Sequence, residues 1–323
     1  MAGHSPARYQ ELQAAVTAAR LQFDAAKAAR PENLAEVLNG VEETPVQIPS
    51  RDGSRAIQGR LYRSTAAKDA GASAGPSPVL VNWHGSGMVF HMFGQDRPFC
   101  AQLARDLPNL VVLDADYRKG PEDPFPAAVH DVEDALWWVA AQPNIYDVAR
   151  VAVSGFSAGG LLALVASSSF RQTFATDDAL KQMQIPVVVA VYPPVDLSVP
   201  AEARKQVEKP VRPIPPQMAA LFDECYTPDP ETRKDPRVSP GRTEPALFPG
   251  HVVIITCGGD NCAPEANGLA SRLKDGKRKV VNEVMEGMPH AFDKTCLPGT
   301  PEWEQKDRMN ALIVKELKEA LKI

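Results

Sequence analysis

Ser157 lies between Gly155 and Gly159 in VAVSGFSAGGLLALVASS, a stretch that starts at Val151 and passes from a short apolar run into a small-residue, helix-like one. At average glycine and serine usage a Gly-x-Ser-x-Gly match arises by chance in roughly one chain in ten of this length, so the pattern alone decides little. Its placement decides more. Reactive groups of open α/β sheets sit outside the carboxyl ends of strands, and Ser157 falls where the strand-like VAVSG meets the helix-like AGGLLALVASSSF. Gly155, Gly159 and Gly160 remove the Cβ atoms that would obstruct so sharp a turn. A helix starting just after the serine offers free backbone N–H groups and a favourable dipole to a developing oxyanion.

A serine hydroxyl is a poor nucleophile at neutral pH. Its chemistry needs a base, a carboxylate that orients the base, and oxyanion donors. In a fold of this type the carboxylate and then the histidine follow the serine along the chain. Among the histidines, His4 is in a terminal tail, His130 lies in a helical pattern and His251 opens a strand, whereas position alone does not dismiss His91. His290, in EGMPHAF, occupies a Gly/Pro-bearing loop between the last strand and the final helix, and is the preferred base. Asp260, in VVIITCGGDN, follows the penultimate strand after two glycines and is the preferred carboxylate. Its rivals are placed less well: Glu265 in the following helix, Glu283 within a strand, Glu286 and Asp293 close in sequence to the base itself. NWHGSGMVF supplies the second oxyanion loop, where the small residues Gly85, Ser86 and Gly87 let backbone N–H groups approach a substrate carbonyl.

The elements that must hold these groups are legible as an alternation. Short β-branched runs begin at Val46, Ala56, Pro78, Asn109, Val151, Ile185, His251 and Lys279, which gives eight candidate strands. SRDGSR between the first two is a hairpin turn signal, and helical segments such as AAVHDVEDALWWVAAQ separate later ones. Right-handed βαβ crossovers and a mainly parallel α/β sheet follow. The later runs are apolar almost throughout, as burial on both faces requires. Two stretches break the alternation: a small-residue surface loop from Ser64 to Pro78, and a proline-rich region from about Pro200 to Pro249 with the helical core PPQMAALFDECY. We read the chain, residues 1–323, as one domain with cap elements at about 1–45 and 200–245.

Composition bounds the partners. With 323 residues, 44% of them hydrophobic, and a net charge of −5, the chain has ample core and no basic patch suited to nucleic acid or anionic membrane. The N-terminal segment carries charges throughout and reads as an amphipathic helix rather than a signal peptide, and no run is long and apolar enough to span a membrane. Cys100, Cys225, Cys257, Cys262 and Cys296 lack paired metal spacing and suit free thiols of a reducing compartment, so a cytoplasmic protein is expected.

Six motifs in order, HGSGMVF, DADYRKGPEDPFPAAVHDV, GFSAGG, DPRVSP, GGDNCAPE and GMPHAF, resemble the hormone-sensitive-lipase family of α/β-hydrolases from about Pro78 to Phe292. The resemblance implies the α/β-hydrolase fold and a carboxylesterase, with Ser157 as nucleophile, His290 as base and acid, and Asp260 as the group that orients it. It places the oxyanion donors on the N–H groups of Ser86, Gly87 and Ala158, with Gly85 shaping the turn. His84 would brace that loop, and Asp116, Arg118 and Glu122 would buttress the loops beneath the site. The chain also departs from the family. Ser86 replaces a glycine and brings a side chain that would narrow the site or add a donor; Phe156 replaces the usual Asp or Thr; NCAPEAN lacks the usual Pro-Leu after the acid.

The expected activity is hydrolysis of short to medium carboxylic esters through an acyl-enzyme, with neither metal nor organic cofactor, by a monomer or homodimer. Met88, Phe90, Met92, Phe93 and Phe156 from the core, with Met218, Leu221 and Phe222 from the proline-rich insertion, are expected to line the acyl or alcohol pocket. A lactonase, amidase or acyltransferase would use the same triad. A ligand-binding relative such as the plant gibberellin receptors lacks a working histidine, against which the joint presence of Ser157, Asp260 and His290 speaks.

Overall fold

Side chains alternate between the two faces of a strand, so runs that are apolar throughout need cover on both. The chain, described by a computed structural model over residues 5–28, 33–66, 75–170, 177–178 and 180–323, provides it. The eight expected strands are β1 (Val41–Pro49), β2 (Ala56–Ser64), β3 (Ser77–Trp83), β4 (Val111–Ala115), β5 (Tyr146–Phe156), β6 (Val187–Val191), β7 (His251–Cys257) and β8 (Lys279–Met285). They form one sheet in the order β1-β2-β4-β3-β5-β6-β7-β8. β2 pairs antiparallel with β1 and with β4, and every later pairing is parallel.

The described helices are α1 (Pro6–Ala28), α2 (Leu34–Val37), α3 (Arg97–Asp106), α4 (Ala127–Ala140), α5 (Ala158–Ser167), α6 (Pro216–Tyr226), α7 (Ala263–Leu273) and α8 (Pro301–Leu321). On one face Val79, Val81, Val151, Val153, Val188 and Ile254 pack with Val132 and Leu136 of α4, Leu161 and Leu164 of α5 and Leu269 of α7. Their neighbours Leu80, Val112, Ala152, Val189 and Val253 turn the other way, onto Leu103 of α3 and Ile313 and Leu317 of α8.

SRDGSR is a hairpin connection, its turn held by the Ser50 hydroxyl donating to Asp52 at 2.6 Å and by Gly53 at φ +67°. β1 starts at Val41 rather than at the apolar run from Val46, because this edge strand needs only its partner's backbone and leaves Glu42, Thr44 and Pro45 outside the core. In the loop expected from Ser64 to Pro78, residues 67–74 lie outside the described residues. Among the described residues no helix is long and apolar enough to cross a membrane.

Two segments lie against the loops at the carboxyl ends of the strands. Leu12 and Val16 of α1 pack with Val89 and Cys225. The Arg20 guanidinium donates to the carbonyls of Val89 at 2.9 Å and Gly120 at 3.0 Å, and pairs with Glu122 at 2.7 Å. At the other end of the helix Arg8 pairs with Glu224 of α6 at 2.5 Å.

Candidate active site

Ser157 caps α5 with φ +52° and ψ −119°. A non-glycine residue there costs about 1–3 kcal/mol and persists only where the surroundings enforce it. Here they do: the Ser157 N–H donates to the Val191 carbonyl at 2.8 Å, and the glycines around it leave no room for other side chains. A Cβ on Gly155 would overlap the Gly159 carbonyl, and one on Gly159 would overlap the carbonyl of Trp83.

The turn aims the Ser157 hydroxyl at His290, whose Nε2 lies 2.8 Å from Oγ. On the opposite edge of the imidazole, Nδ1 lies 2.7 Å from Asp260 Oδ2. A carboxylate only accepts, so Nδ1 carries the proton and Nε2 is free to accept the serine proton. Asp260 is buried, and its other oxygen accepts the Cys262 N–H at 3.1 Å. Burial pulls the His290 pKa down, but the Asp260 charge and hydrogen bond and the Asp293 charge outweigh it, and the net direction is upward.

The other titratable residues stand outside this hydrogen-bonded chain. Glu265 borders the same cavity, and burial pushes its carboxyl up to about 7. Glu283 pairs with Arg308, and Asp293 accepts from the Tyr192 hydroxyl at 2.6 Å. His251 pairs with Glu316 at 2.8 Å, His130 is exposed on α4, and His91 borders a second, charged cavity with Lys119 and Glu122. His4 lies outside the described residues.

Gly85, Ser86 and Gly87 follow β3 and pack on the elbow: a Cβ on Gly85 would come within 3.2 Å of Ser157 Cβ. Among the described residues the N–H groups of Ser86, Gly87 and Ala158 have no acceptor within the protein. His84 is buried beneath this loop, with Nδ1 3.0 Å from the Gly85 carbonyl and Nε2 3.1 Å from Asp116. Asp116 also holds Lys119 at 2.8 Å, Arg118 pairs with Asp131 at 2.9 Å and Glu122 with Arg20.

Ser86 borders the cavity, but its hydroxyl is committed within the protein rather than offered to a substrate. The Tyr117 hydroxyl donates to the His84 carbonyl at 2.7 Å, so at 2.7 Å from Ser86 Oγ it is left to accept the Ser86 proton. Ser86 Oγ in turn accepts the Met88 N–H at 2.9 Å.

A cavity of about 450 Å³ opens above the serine. Met88, Phe90, Met92, Phe156, Met218 and Phe222 border it as expected. Leu221 does not: it packs against the cluster of Leu12, Val16, Val89 and Cys225. Nor does Phe93, whose ring lies under the Arg60 guanidinium at 4.6 Å. Phe23 of α1, Tyr192 and Lys294 border the cavity without having been expected there. Phe90 links the walls, its ring 5.5 Å from Phe23 and 5.6 Å from Phe222. Tyr192 had one legible signal, its place directly after a strand of the parallel sheet.

Asp260, Cys262 and His290 bring three potential metal donors within 4.8 Å of one another. The carboxylate and imidazole among them are already joined to each other by the Nδ1 hydrogen bond.

With this geometry in place, the comparisons define the class. Residues 80–294 match the model of an alpha/beta hydrolase fold family, and the chain belongs to that family, in its hormone-sensitive-lipase-like carboxylesterase branch. It is 27% identical to an ethyl acetate hydrolase of Pseudomonas putida over 281 residues, spanning 84% of this chain and 83% of the relative. With an esterase of Mycobacterium tuberculosis, LipI, it shares 29% identity over 66% of each chain. The esterase of Pyrobaculum calidifontis superposes with a TM-score of 0.75 at 26% identity, covering 98% of both chains.

Proposed function

We propose that this protein hydrolyses short to medium carboxylic esters through a Ser157–His290–Asp260 triad and an acyl-enzyme. Carboxylic ester hydrolysis as such follows from the family and from the esterases among its relatives. The observation that carries the mechanism is the unbroken chain from Ser157 Oγ through both nitrogens of His290 to the buried Asp260. His290 Nε2 takes the Ser157 proton as Oγ attacks the ester carbonyl. The resulting oxyanion meets the unpaired N–H groups of Ser86, Gly87 and Ala158. His290 then protonates the leaving alcohol, and water, deprotonated by the same Nε2, releases the acid. Asp260 fixes the Nδ1–H tautomer and stabilises the imidazolium.

The cavity of about 450 Å³ is of the size that holds one small organic molecule, and its walls from Met88, Phe90, Met218 and Phe222 suit an acyl chain or a compact alcohol. The free cysteines suit a reducing compartment, in line with a cytoplasmic enzyme.

A fluorophosphonate probe is expected to form one adduct, on Ser157, in the folded protein; no adduct there would sink the nucleophile assignment. A panel of p-nitrophenyl esters, lactones and arylamides, with esters expected to be turned over fastest, tests the reaction class. Gly87 has φ +57°, and a Cβ there would come within 2.7 Å of the Phe222 ring. Gly87→Ala therefore displaces an oxyanion N–H, and kcat on a p-nitrophenyl ester is expected to fall about 100-fold. An unchanged kcat would remove Gly87 from the oxyanion hole.

A further inference from the structure

Phe156 departs from the family pattern, and Lys294, in the turn after His290, has no part in the reaction above. The two meet. The Lys294 ammonium sits 3.5 Å from the centre of the Phe156 ring, 2.8 Å from Asp96 and 2.8 Å from Asp293. An ammonium has three N–H donors, and here two carboxylates and one aromatic face take them up. Each partner is anchored in turn. The other Asp96 oxygen accepts from Asn82 at 3.0 Å, and Asn82 accepts from Ser154 of β5 at 2.9 Å. The other Asp293 oxygen accepts from Tyr192, whose ring lies 4.8 Å from the imidazole of His290. Phe156 is fully buried, edge-on to Phe99 at 4.8 Å.

We infer that Lys294 is a positioning residue: clamped between the Phe156 ring, Asp96 and Asp293, its ammonium pins the loop that carries His290 to the elbow that carries Ser157. The inference rests on the triad reading and goes beyond it. His290 is followed by Ala291 at φ +56°, so the loop leaves the imidazole in a conformation that needs external support. A cation held against an aromatic face away from water is attracted more strongly than an exposed one, and removing it leaves Asp96 and Asp293 without the charge that pairs them. Misplacing a catalytic group by 1 Å costs about 100-fold in rate, so a tether far smaller than the fold can govern turnover. Lys294 also borders the cavity. Because its donors are already committed, it is not free to bind an anionic group of the substrate, and kcat rather than KM should register its loss.

The test compares Lys294→Met, Lys294→Arg and Phe156→Leu by kcat and KM on a neutral p-nitrophenyl ester, by the rate of fluorophosphonate labelling, and by thermal unfolding. Lys294→Met is expected to lower kcat and the labelling rate about tenfold or more, with KM changed less than about twofold. Lys294→Arg keeps a cation that stacks on the ring and should restore most of the loss. Phe156→Leu leaves both ion pairs in place; kcat should fall about threefold, and Phe156→Leu should add little to Lys294→Met in the double variant. A folded Lys294→Met with unchanged kcat, or with only a raised KM, overturns the clamp. If Lys294→Met does not fold, Phe156→Leu decides, and an unchanged kcat there overturns it. Ser157→Ala, assayed alongside, separates the two failures: full activity in that variant brings down the triad reading and the clamp with it, whereas its inactivity beside an unaffected Lys294→Met overturns the clamp alone.

Discussion

Exchanging Ser157 for alanine is expected to lower kcat on p-nitrophenyl esters by about 10⁶-fold while the protein stays folded. The exchange removes only the hydroxyl, and among the described residues that hydroxyl bonds to His290 Nε2. Alanine must still adopt φ +52°, but the elbow's constraints are backbone ones: the Ser157 N–H on Val191 and the tight approach of Gly155 and Gly159. The elbow therefore survives. What activity remains should come from the oxyanion N–H groups and the cavity, which still hold an ester for attack by water. KM should change little, because the other side chains bordering the cavity are untouched. A variant that keeps more than a few per cent of kcat would place the nucleophile elsewhere.

Asp260→Asn is expected to lower kcat by about 10⁴-fold, again with little loss of folding. An amide in place of the carboxylate can donate to Nδ1, which moves the imidazole proton to Nε2, where it faces the serine hydroxyl it should receive from. The pH profile supplies an independent check with a definite sign. In the parent protein His290 is driven upward by Asp260 and Asp293 against burial. Since the neutral imidazole is the base, kcat/KM should fall on acidification with a midpoint above about 6.5, the ordinary histidine value. Removing the Asp260 charge and hydrogen bond leaves burial less opposed, and the midpoint of the residual activity should move to lower pH. Glu265→Gln is the control. Its carboxyl borders the cavity without touching His290, and a drop comparable to that of Asp260→Asn would transfer the acid's role to Glu265.

The sheet and the places of the three residues proposed as the triad are legible for a common reason. Strands buried on both faces must be apolar throughout, and the loops at their carboxyl ends must carry the chemistry, so Ser157, Asp260 and His290 follow from counting strands and reading the residue just past each one. Contacts made by long side chains across the fold carry no such local sign. Lys294 reads as an ordinary polar residue of a loop, and only the assembled molecule brings it over Phe156. Residue type alone does not separate Leu221 from its neighbours: Leu221 and Phe222 both pack against the cluster that holds Leu12 and Val16, but only Phe222, four residues on from Met218, also borders the cavity. Phe23 carries no sign of its place, because nothing in an N-terminal helix says where its apolar side will dock. The first half of β1 has no clear sign in the sequence because charged residues outside the core hide an edge strand's alternation.

Ser86 has a last consequence, and it belongs to the unfolded chain. Its backbone is not in the left-handed region, unlike that of Gly87 beside it. A glycine would reach the same conformation from a much larger set of disordered ones. Serine starts with fewer, so ordering the loop forfeits less entropy, a difference of about 0.4–1 kcal/mol when the native backbone tolerates a side chain. With its hydroxyl tied to Tyr117 and Met88, the loop trades the adaptability of a glycine run for stiffness acquired on folding, before any substrate arrives.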